Sequence, residues 1–260
     1  MMFDPPGPRG RRRSRVATAV SVLVVLALVV VAVRRFDAAG QLELAKWRPF
    51  LTWPVWRYLL TGLWATVLAA AAVFALASVA GLGLAFGRMS AFPWPFRAYV
   101  EVMRTIPVLL LIYVVLFVLP AYGLDLPLFW KLVLPLAFSH AAQFAEIFRA
   151  GVLAVDRGQG EAGASLGLTH AQNMRLVVLP QAVRNVLPSL VSQTVGLLKD
   201  TALGYVVSYL ELLQSGRVLA NFNHLLIQTF LVVALVYLVV NASLSKLARY
   251  LEARSARSAR

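Results

Sequence analysis

Two long apolar runs limit what this chain can fold into more than any other feature of its sequence. Val16–Val33 is eighteen residues without a charged side chain, and Thr61–Phe86 is a second uncharged run. A bilayer is spanned by a helix of about 20 apolar residues. Hydrocarbon offers no partner to unpaired backbone groups, so such runs must form helices if they cross it. Since 60% of residues are hydrophobic and only 14% are charged, the sequence predicts an all-α, polytopic membrane protein.

Six membrane spans are predicted in this order: 16–33, 61–86, 106–119, 128–148, 180–210 and 225–240. The first run has one alternative, a cleaved signal peptide, because a basic region precedes it. The run is longer than a usual signal core, and Arg34 and Arg35 follow it without a clear small-residue cleavage pattern. The chain is predicted to begin with a basic, disordered cytoplasmic tail at 1–15 and to end with a second basic cytoplasmic tail at 248–260. Between the spans, an external linker is predicted at 34–57, a short basic connection at 88–104 and an external loop at 211–224.

The net charge of +14 has two possible explanations, nucleic-acid binding and the positive-inside rule of membrane proteins. With both termini in the cytoplasm, 17 of the 25 Lys and Arg lie on that side, although the linker 34–57 is an exception. This bias favours a multi-pass protein with cytoplasmic termini, in contact with anionic lipid and not with nucleic acid. The chain has no Cys and only three scattered His, so no disulfide framework or metal site is expected.

A polar segment, residues 156–180, interrupts the apolar runs, and we call it the elbow. Asp156 is predicted to cap one short helix, and Gly167 to end it. Thr169 restarts a second helix in a capping box with Gln172. That helix is expected to end near 179, because Pro180 disfavours helical geometry in the residue before it. A polar double helix between two spans must lie at the membrane surface, either as a docking element or as an ordinary connection.

Polar side chains also occur inside two predicted spans. His140, Gln143 and Glu146 recur every three residues and therefore follow one side of a helix. They indicate either hydrogen bonding between helices, with a Glu146–Arg149 pair at the membrane edge, or the lining of a substrate route. Lys199 and Asp200 are adjacent and cannot pair as helical neighbours do, so they either line a wet cavity or lie where the helix is broken.

The elbow resembles the EAA loop of bacterial ABC-importer permeases. That pattern has Glu-Ala-Ala, then Gly, then Ile, then Leu-Pro at set spacings. This chain has Glu161-Ala162-Gly163, Gly167, Val177 and Leu179-Pro180 at those spacings, so Gly and Val stand where the pattern has Ala and Ile. The neighbouring segments resemble the polar amino-acid uptake branch, of histidine, glutamate or glutamine type. These segments are 101–107, 146–151, 179–182 and 197–203.

The resemblance implies an ABC importer type I permease fold with about six transmembrane helices. Residues 58–247 would form the permease domain around a five-helix core, and 16–33 would be an extra helix. The elbow would be a cytoplasmic coupling helix that docks on an ABC ATPase dimer. ATP would be bound by those partners, because this chain lacks the Gly-rich phosphate loop, so it would be neither an enzyme nor a cofactor-binding subunit. The coupling residues would be Glu161, Ala162, Gly163, Gly167, Leu179 and Pro180.

The same resemblance implies a second permease subunit, identical or distinct, and an external or periplasmic substrate-binding protein, at the bacterial cell membrane. The substrate would be a polar amino acid, glutamate first, with glutamine, aspartate or a basic amino acid as alternatives. Its pathway is expected to involve Lys199, Asp200, Gln193, His140 and Gln143. Two rivals are an ATP-independent secondary carrier and a membrane enzyme. The sequence shows neither inverted repeats nor clustered acid–base residues in their favour.

Overall fold

The computed structural model describes residues 8–258, and the all-α prediction is confirmed: these residues form helices and turns, without a strand. The chain divides between Val55 and Trp56 into two compact units. The first unit contains α1 (Pro8–Ala38), α2 (Leu44–Trp47) and a 3-10 turn (Arg48–Leu51).

The first unit is more helical than the sequence suggests. Because α1 begins at Pro8, part of the disordered tail expected at 1–15 is helical, and residues 1–7 lie outside the described residues. The linker expected at 34–57 is also partly helical. After α1 the chain turns at Gly40, whose φ of +66° suits glycine. The Lys46 ammonium donates to the Gly40 carbonyl at 2.7 Å, which ties α2 to this turn.

The second unit contains the elbow and the polar spans. Its α-helices are α3 (Trp53–Met89), which begins in the first unit, α4 (Trp94–Thr105), α5 (Val108–Tyr113), α6 (Leu119–Ala121), α7 (Leu128–Leu153), α8 (Arg157–Ser165), α9 (His170–Asn173), α10 (Leu179–Asp200), α11 (Leu212–Asn223) and α12 (Leu226–Ser258). Two π-helical turns, Val114–Val118 and Met174–Val178, and a 3-10 segment, Thr201–Val207, join neighbouring elements.

Within residues 8–258, three helices are long and apolar enough to cross a membrane: Val16–Ala38, Trp53–Met89 and Leu226–Tyr250. A fourth span is added if α4 and the helix over Val108–Ala121, which are bent by 98° at their junction, count as one. The helices α7 and α10 have 26 and 22 residues, but they carry the charged and polar groups noted above. Six spans therefore stay a prediction.

The core of the second unit lies around α7. Leu132, Leu136 and Phe144 of α7 are fully buried, and the small side chains of α3 pack against the same cluster. At Gly81 a Cβ atom would lie 2.8 Å from Cβ of Phe144, so a larger residue would push the two helices apart. The Gly- and Ala-rich face of α3 therefore has the packing role that small residues have in membrane helices.

Two helices occupy segments that the sequence analysis treats as connections. Within 88–104, α4 begins at Trp94 with Pro95 in its first turn, where a missing N–H costs nothing because it would have no partner there. Within 211–224, α11 begins after Glu211, whose carboxylate accepts from the backbone N–H groups of Leu213 and Gln214 at 2.8 and 2.7 Å. The sequence does not predict these helices, because the first segment contains proline and both segments are short.

Candidate functional site

The first arm of the elbow is α8, and both its predicted ends are confirmed. The Asp156 carboxylate accepts from the Gly158 N–H at 2.7 Å, which caps the helix start. At the other end Gly167 has a φ of +78°. The Leu168 N–H bonds to the Gly163 carbonyl at 3.2 Å, and the Gly167 N–H bonds to that of Ala164 at 2.9 Å. This is a Schellman motif, which satisfies the last carbonyls and turns the chain sharply.

The second arm is α9, and its predicted capping box is present. Thr169 Oγ1 accepts from the Gln172 N–H, and Gln172 Oε1 accepts from the Thr169 N–H at 2.9 Å. Two orphan backbone donors are thereby satisfied reciprocally. The predicted first helix, the bend at Gly167 and the start of a second helix at Thr169 are confirmed.

The predicted end of the second helix near Leu179 is wrong. The helix passes through a π-helical turn, Met174–Val178, directly into α10. Pro180 lies in the first turn of α10, and its missing N–H leaves a backbone carbonyl to be satisfied otherwise. The Leu179 N–H reaches back five residues to the Met174 carbonyl, and the Gln181 side chain donates to the Val177 carbonyl at 3.0 Å. The π-helical turn therefore accommodates Pro180, and the helix continues.

The predicted coupling residues differ in exposure. Glu161, Ala162, Gly167 and Pro180 are exposed, Leu179 is half-buried, and Gly163 is buried. Within residues 8–258 no hydrogen bond or ion pair engages the Glu161 carboxylate. Leu166, at the end of α8, is 83% exposed although it is apolar. The elbow thus presents a charged and an apolar side chain on one short helix. Its part in coupling stays a prediction.

Two polar pairs connect α7 with α10, and they join four of the five predicted pathway residues. His140 Nε2 lies 3.2 Å from Asp200 Oδ2, with the imidazole 1% and the carboxylate 44% exposed. The Gln193 side-chain amide donates to Gln143 Oε1. Lys199 is exposed and has no ion pair with any carboxylate of the described chain. It lies, with Asp200, where α10 changes into the 3-10 segment at Thr201.

Two clefts follow the α7–α10 interface. The first, of about 470 Å³, is lined by Arg104, Gln143, Glu146, Ile147 and Gln193. The second, of about 410 Å³, shares Glu146 and Ile147 with it and extends along both helices toward the elbow. The hydrogen-bonded glutamines therefore border an open polar space. His140, Lys199 and Asp200 are not among the described lining residues of either cleft.

Glu146, between these clefts, is surrounded by arginines from three helices. Its carboxylate lies 2.5 Å from Arg88 of α3, 3.3 Å from Arg104 of α4 and 3.1 Å from Arg149 of its own helix. The Glu146–Arg149 pair is the one predicted from spacing. Arg88 and Arg104 were not predicted, because nothing local in the sequence brings them to α7. We call these four residues the Glu146 cluster.

Glu211 is a buried carboxylate whose role the sequence analysis did not predict. It is fully buried, and besides capping α11 it accepts from the Tyr237 hydroxyl of α12 at 2.9 Å. The start of α11 is thereby tied to α12. For metals, the described residues contain no group of three or more His, Asp or Glu placed to hold an ion.

Residues 77–257 match the family described as binding-protein-dependent transport system inner membrane component, and the chain belongs to this family. Among its relatives is the glutamate transport system permease protein GluD of Corynebacterium glutamicum, 38% identical over 220 residues, with 82% of this chain and 81% of the relative covered. The glutamate/aspartate import permease protein GltK of Escherichia coli O157:H7 is 34% identical over 213 residues, covering 76% and 94%.

Solved structures show the same likeness. The crystal structure of an amino acid ABC transporter with histidines matches with a TM-score of 0.73 at 31% identity, covering 82% of this chain and 97% of that one. An inward-facing structure of the MetNI methionine ABC transporter matches with a TM-score of 0.61 at 20% identity, covering 77% and 99%, which bears on the fold alone. The resemblance to amino-acid importer permeases, and their fold, are thereby confirmed.

Proposed function

We propose that this chain is the permease subunit of an ATP-driven importer for a polar amino acid, with glutamate as the first candidate. The observation that carries the proposal is the elbow: two capped helices between α7 and α10, with the Glu161 carboxylate unbonded in the described chain. The subunit works with an ABC ATPase dimer, a second permease and an external binding protein. It lies in the bacterial cell membrane with both termini in the cytoplasm.

The elbow is suited to transmit force because it continues into two long helices. It follows α7 after Leu153, and α9 continues through the π-helical turn into α10. Glu161 anchors α8 to a basic group of the ATPase by a charge-assisted hydrogen bond. When the two ATPases close, the paired elbows move together and carry α7 and α10 with them. The clefts between these helices then change their side of access.

The clefts suit an amino acid better than an apolar solute. Gln143 and Gln193 supply both donors and acceptors to the first cleft. Beside it, the Glu146 cluster places three arginines around one carboxylate, a formal excess of two positive charges. Such an excess favours an anionic substrate. This agrees with the glutamate named for one relative and the glutamate and aspartate named for another. Glutamine, aspartate or a basic amino acid remain the alternatives.

The test is uptake into liposomes that contain the permease and its ATPase, with the binding protein supplied outside. Labelled glutamate is expected to accumulate only when ATP is present, and unlabelled glutamate is expected to compete better than glutamine, aspartate or arginine. Better competition by another amino acid would reassign the substrate within the same class. Accumulation that needs no ATP and follows an ion gradient would replace the importer by a secondary carrier.

Changing Lys199 or Asp200 to alanine tests the pathway residues. Each change is expected to lower the uptake rate by about tenfold, corresponding to about 1.4 kcal/mol. Lys199→Ala removes a cation that has no ion pair in the described chain, and Asp200→Ala leaves buried His140 without its partner. Lys246→Ala, which removes an exposed lysine of α12, is the control and should transport normally. Unchanged rate and specificity in both pathway variants would remove Lys199 and Asp200 from the pathway.

A further inference from the structure

The two arms of the elbow are joined by one side chain. Asn173, the last residue of α9, donates from Nδ2 to the Gly160 carbonyl of α8 at 2.5 Å, and its side chain is part-buried. A carbonyl within a helix ordinarily accepts from the backbone N–H four residues later. The Asn173 amide is therefore a second donor to this carbonyl, which has two lone pairs. A longer and exposed bond also reaches α8 from α10, where Gln181 Nε2 donates to Gln159 Oε1 at 3.2 Å.

Gly163 supplies the space in which the Asn173 amide lies. A Cβ atom at Gly163 would lie 2.8 Å from Cγ and 3.1 Å from Nδ2 of Asn173, and closer still to Oδ1. Real Cβ atoms are essentially never found closer than 3.0 Å to such an atom. The amide is held through Nδ2 by the Gly160 carbonyl, so moving it away breaks that hydrogen bond. An added methyl group therefore either breaks the bond between Asn173 and Gly160 or separates the two arms.

Gly160 differs from Gly163 in this respect although it lies on the same short helix. A Cβ atom at Gly160 would meet nothing within 4 Å. Adding a methyl group there changes helix propensity in the same direction, toward a more stable helix, without touching α9. The two glycines therefore separate the effect of packing against Asn173 from the effect of removing a glycine.

We propose that Asn173 is a positioning residue that sets the angle between the arms of the elbow, and that Gly163 is glycine because it receives Asn173. The glycine at the third position of the Glu161-Ala162-Gly163 run, where the resembled pattern has alanine, is thereby explained by a residue ten positions further along. This inference rests on the proposed function, because a fixed angle matters when the elbow transmits motion. The pairing makes alanine at 163 harmful with Asn173 and tolerable without it.

Four variants test the pairing in the complete transporter: Gly163→Ala, Asn173→Ala, the double variant, and Gly160→Ala as control. Gly163→Ala is expected to lower ATP-driven uptake at least about fivefold, because overpacking displaces the arms. The double variant should transport like Asn173→Ala and better than Gly163→Ala, because alanine at 163 meets no amide once Asn173 is gone, so the two changes are not additive. Gly160→Ala should transport like the unchanged chain. If Gly163→Ala does not accumulate in the membrane, the double variant should still accumulate as Asn173→Ala does, and that difference supports the pairing equally.

A distance measurement separates this inference from the proposed function. The chain has no Cys, so spin labels on Ser165→Cys and Ala171→Cys report one distance across the elbow. Gly163→Ala should shift or broaden that distance, and the double variant should give the distance found for Asn173→Ala. Equal distances in Gly163→Ala and Gly160→Ala, or a double variant no better than Gly163→Ala, would overturn the pairing. A shifted distance with unchanged ATP-driven uptake would uphold the pairing but refute the elbow's role in coupling.

Discussion

Glu161→Lys is expected to abolish ATP-driven uptake while leaving the permease folded and inserted. The carboxylate is exposed and unbonded in the described chain, so reversing its charge breaks no internal contact. The basic group of the ATPase that we propose as the partner of Glu161 would instead face a lysine, and attraction would become repulsion. We expect a loss of at least about a hundredfold in affinity for the ATPase, or about 2.8 kcal/mol. Co-purification of the ATPase with the membrane-extracted permease measures it directly.

Glu101→Lys is the matched control for this charge reversal. Glu101 is also an exposed glutamate, but it lies on α4 and not on the elbow. The ATPase should co-purify with Glu101→Lys as with the unchanged chain, and uptake should continue. Normal retention of the ATPase by Glu161→Lys would mean that the elbow is not the docking element. Poor membrane insertion of Glu161→Lys alone would point to a structural role for this carboxylate.

Glu146→Ala is expected to destabilise the permease itself. Without Glu146, three arginines remain close together, and because the Arg88 side chain is only 9% exposed, water from the clefts replaces the lost carboxylate only in part. Removing one partner of a fully buried pair costs about 3–5 kcal/mol. Because Glu146 is 24% exposed, we expect about 2–3 kcal/mol here. Thermal unfolding of the purified permease in detergent measures this loss, and we expect a lower unfolding midpoint for Glu146→Ala.

Glu101→Ala tests whether the loss of any carboxylate has this effect. Glu101 is exposed on α4 and makes no ion pair in the described chain, and surface changes of this kind alter stability by about 0.5 kcal/mol or less. Its unfolding midpoint should therefore remain close to that of the unchanged chain. Adding Arg88→Ala to Glu146→Ala should restore part of the loss by removing the buried charge. If the Glu146→Ala and Glu101→Ala variants have the same unfolding midpoint, the Glu146 cluster does not stabilise the permease.

The elbow was the best predicted part of the site because its geometry depends on neighbouring residues. Asp156, Gly167 and the Thr169–Gln172 box act within a few positions along the chain, so side-chain chemistry alone identifies them. The same local reasoning failed at Pro180. A proline ends a helix in most contexts, but a π-helical turn ahead of it lets the helix continue. The choice between these outcomes is made by the surrounding packing.

The secondary structure of the two connections 88–104 and 211–224 was predicted less well than that of the elbow. The helices α4 and α11 were missed because short amphipathic helices lack the long apolar run that marks a membrane span. Pro95, which counts against a helix interior, lies in the one turn of α4 where it is harmless. Glu211 is an uncommon cap, so its position before α11 carried no signal.

The sequence by itself determined that the chain is helical and membrane-embedded, where the elbow begins and bends, and that Glu146 pairs with Arg149. Each of these follows from interactions within one helix or turn. The tertiary structure alone decided that Arg88 and Arg104 reach Glu146 across 58 and 42 residues, and that His140 reaches Asp200 across 60. Such contacts depend on which helices pack together and at what rotation. Apolar periodicity does not specify that choice, because several helix pairings bury the same apolar faces equally well.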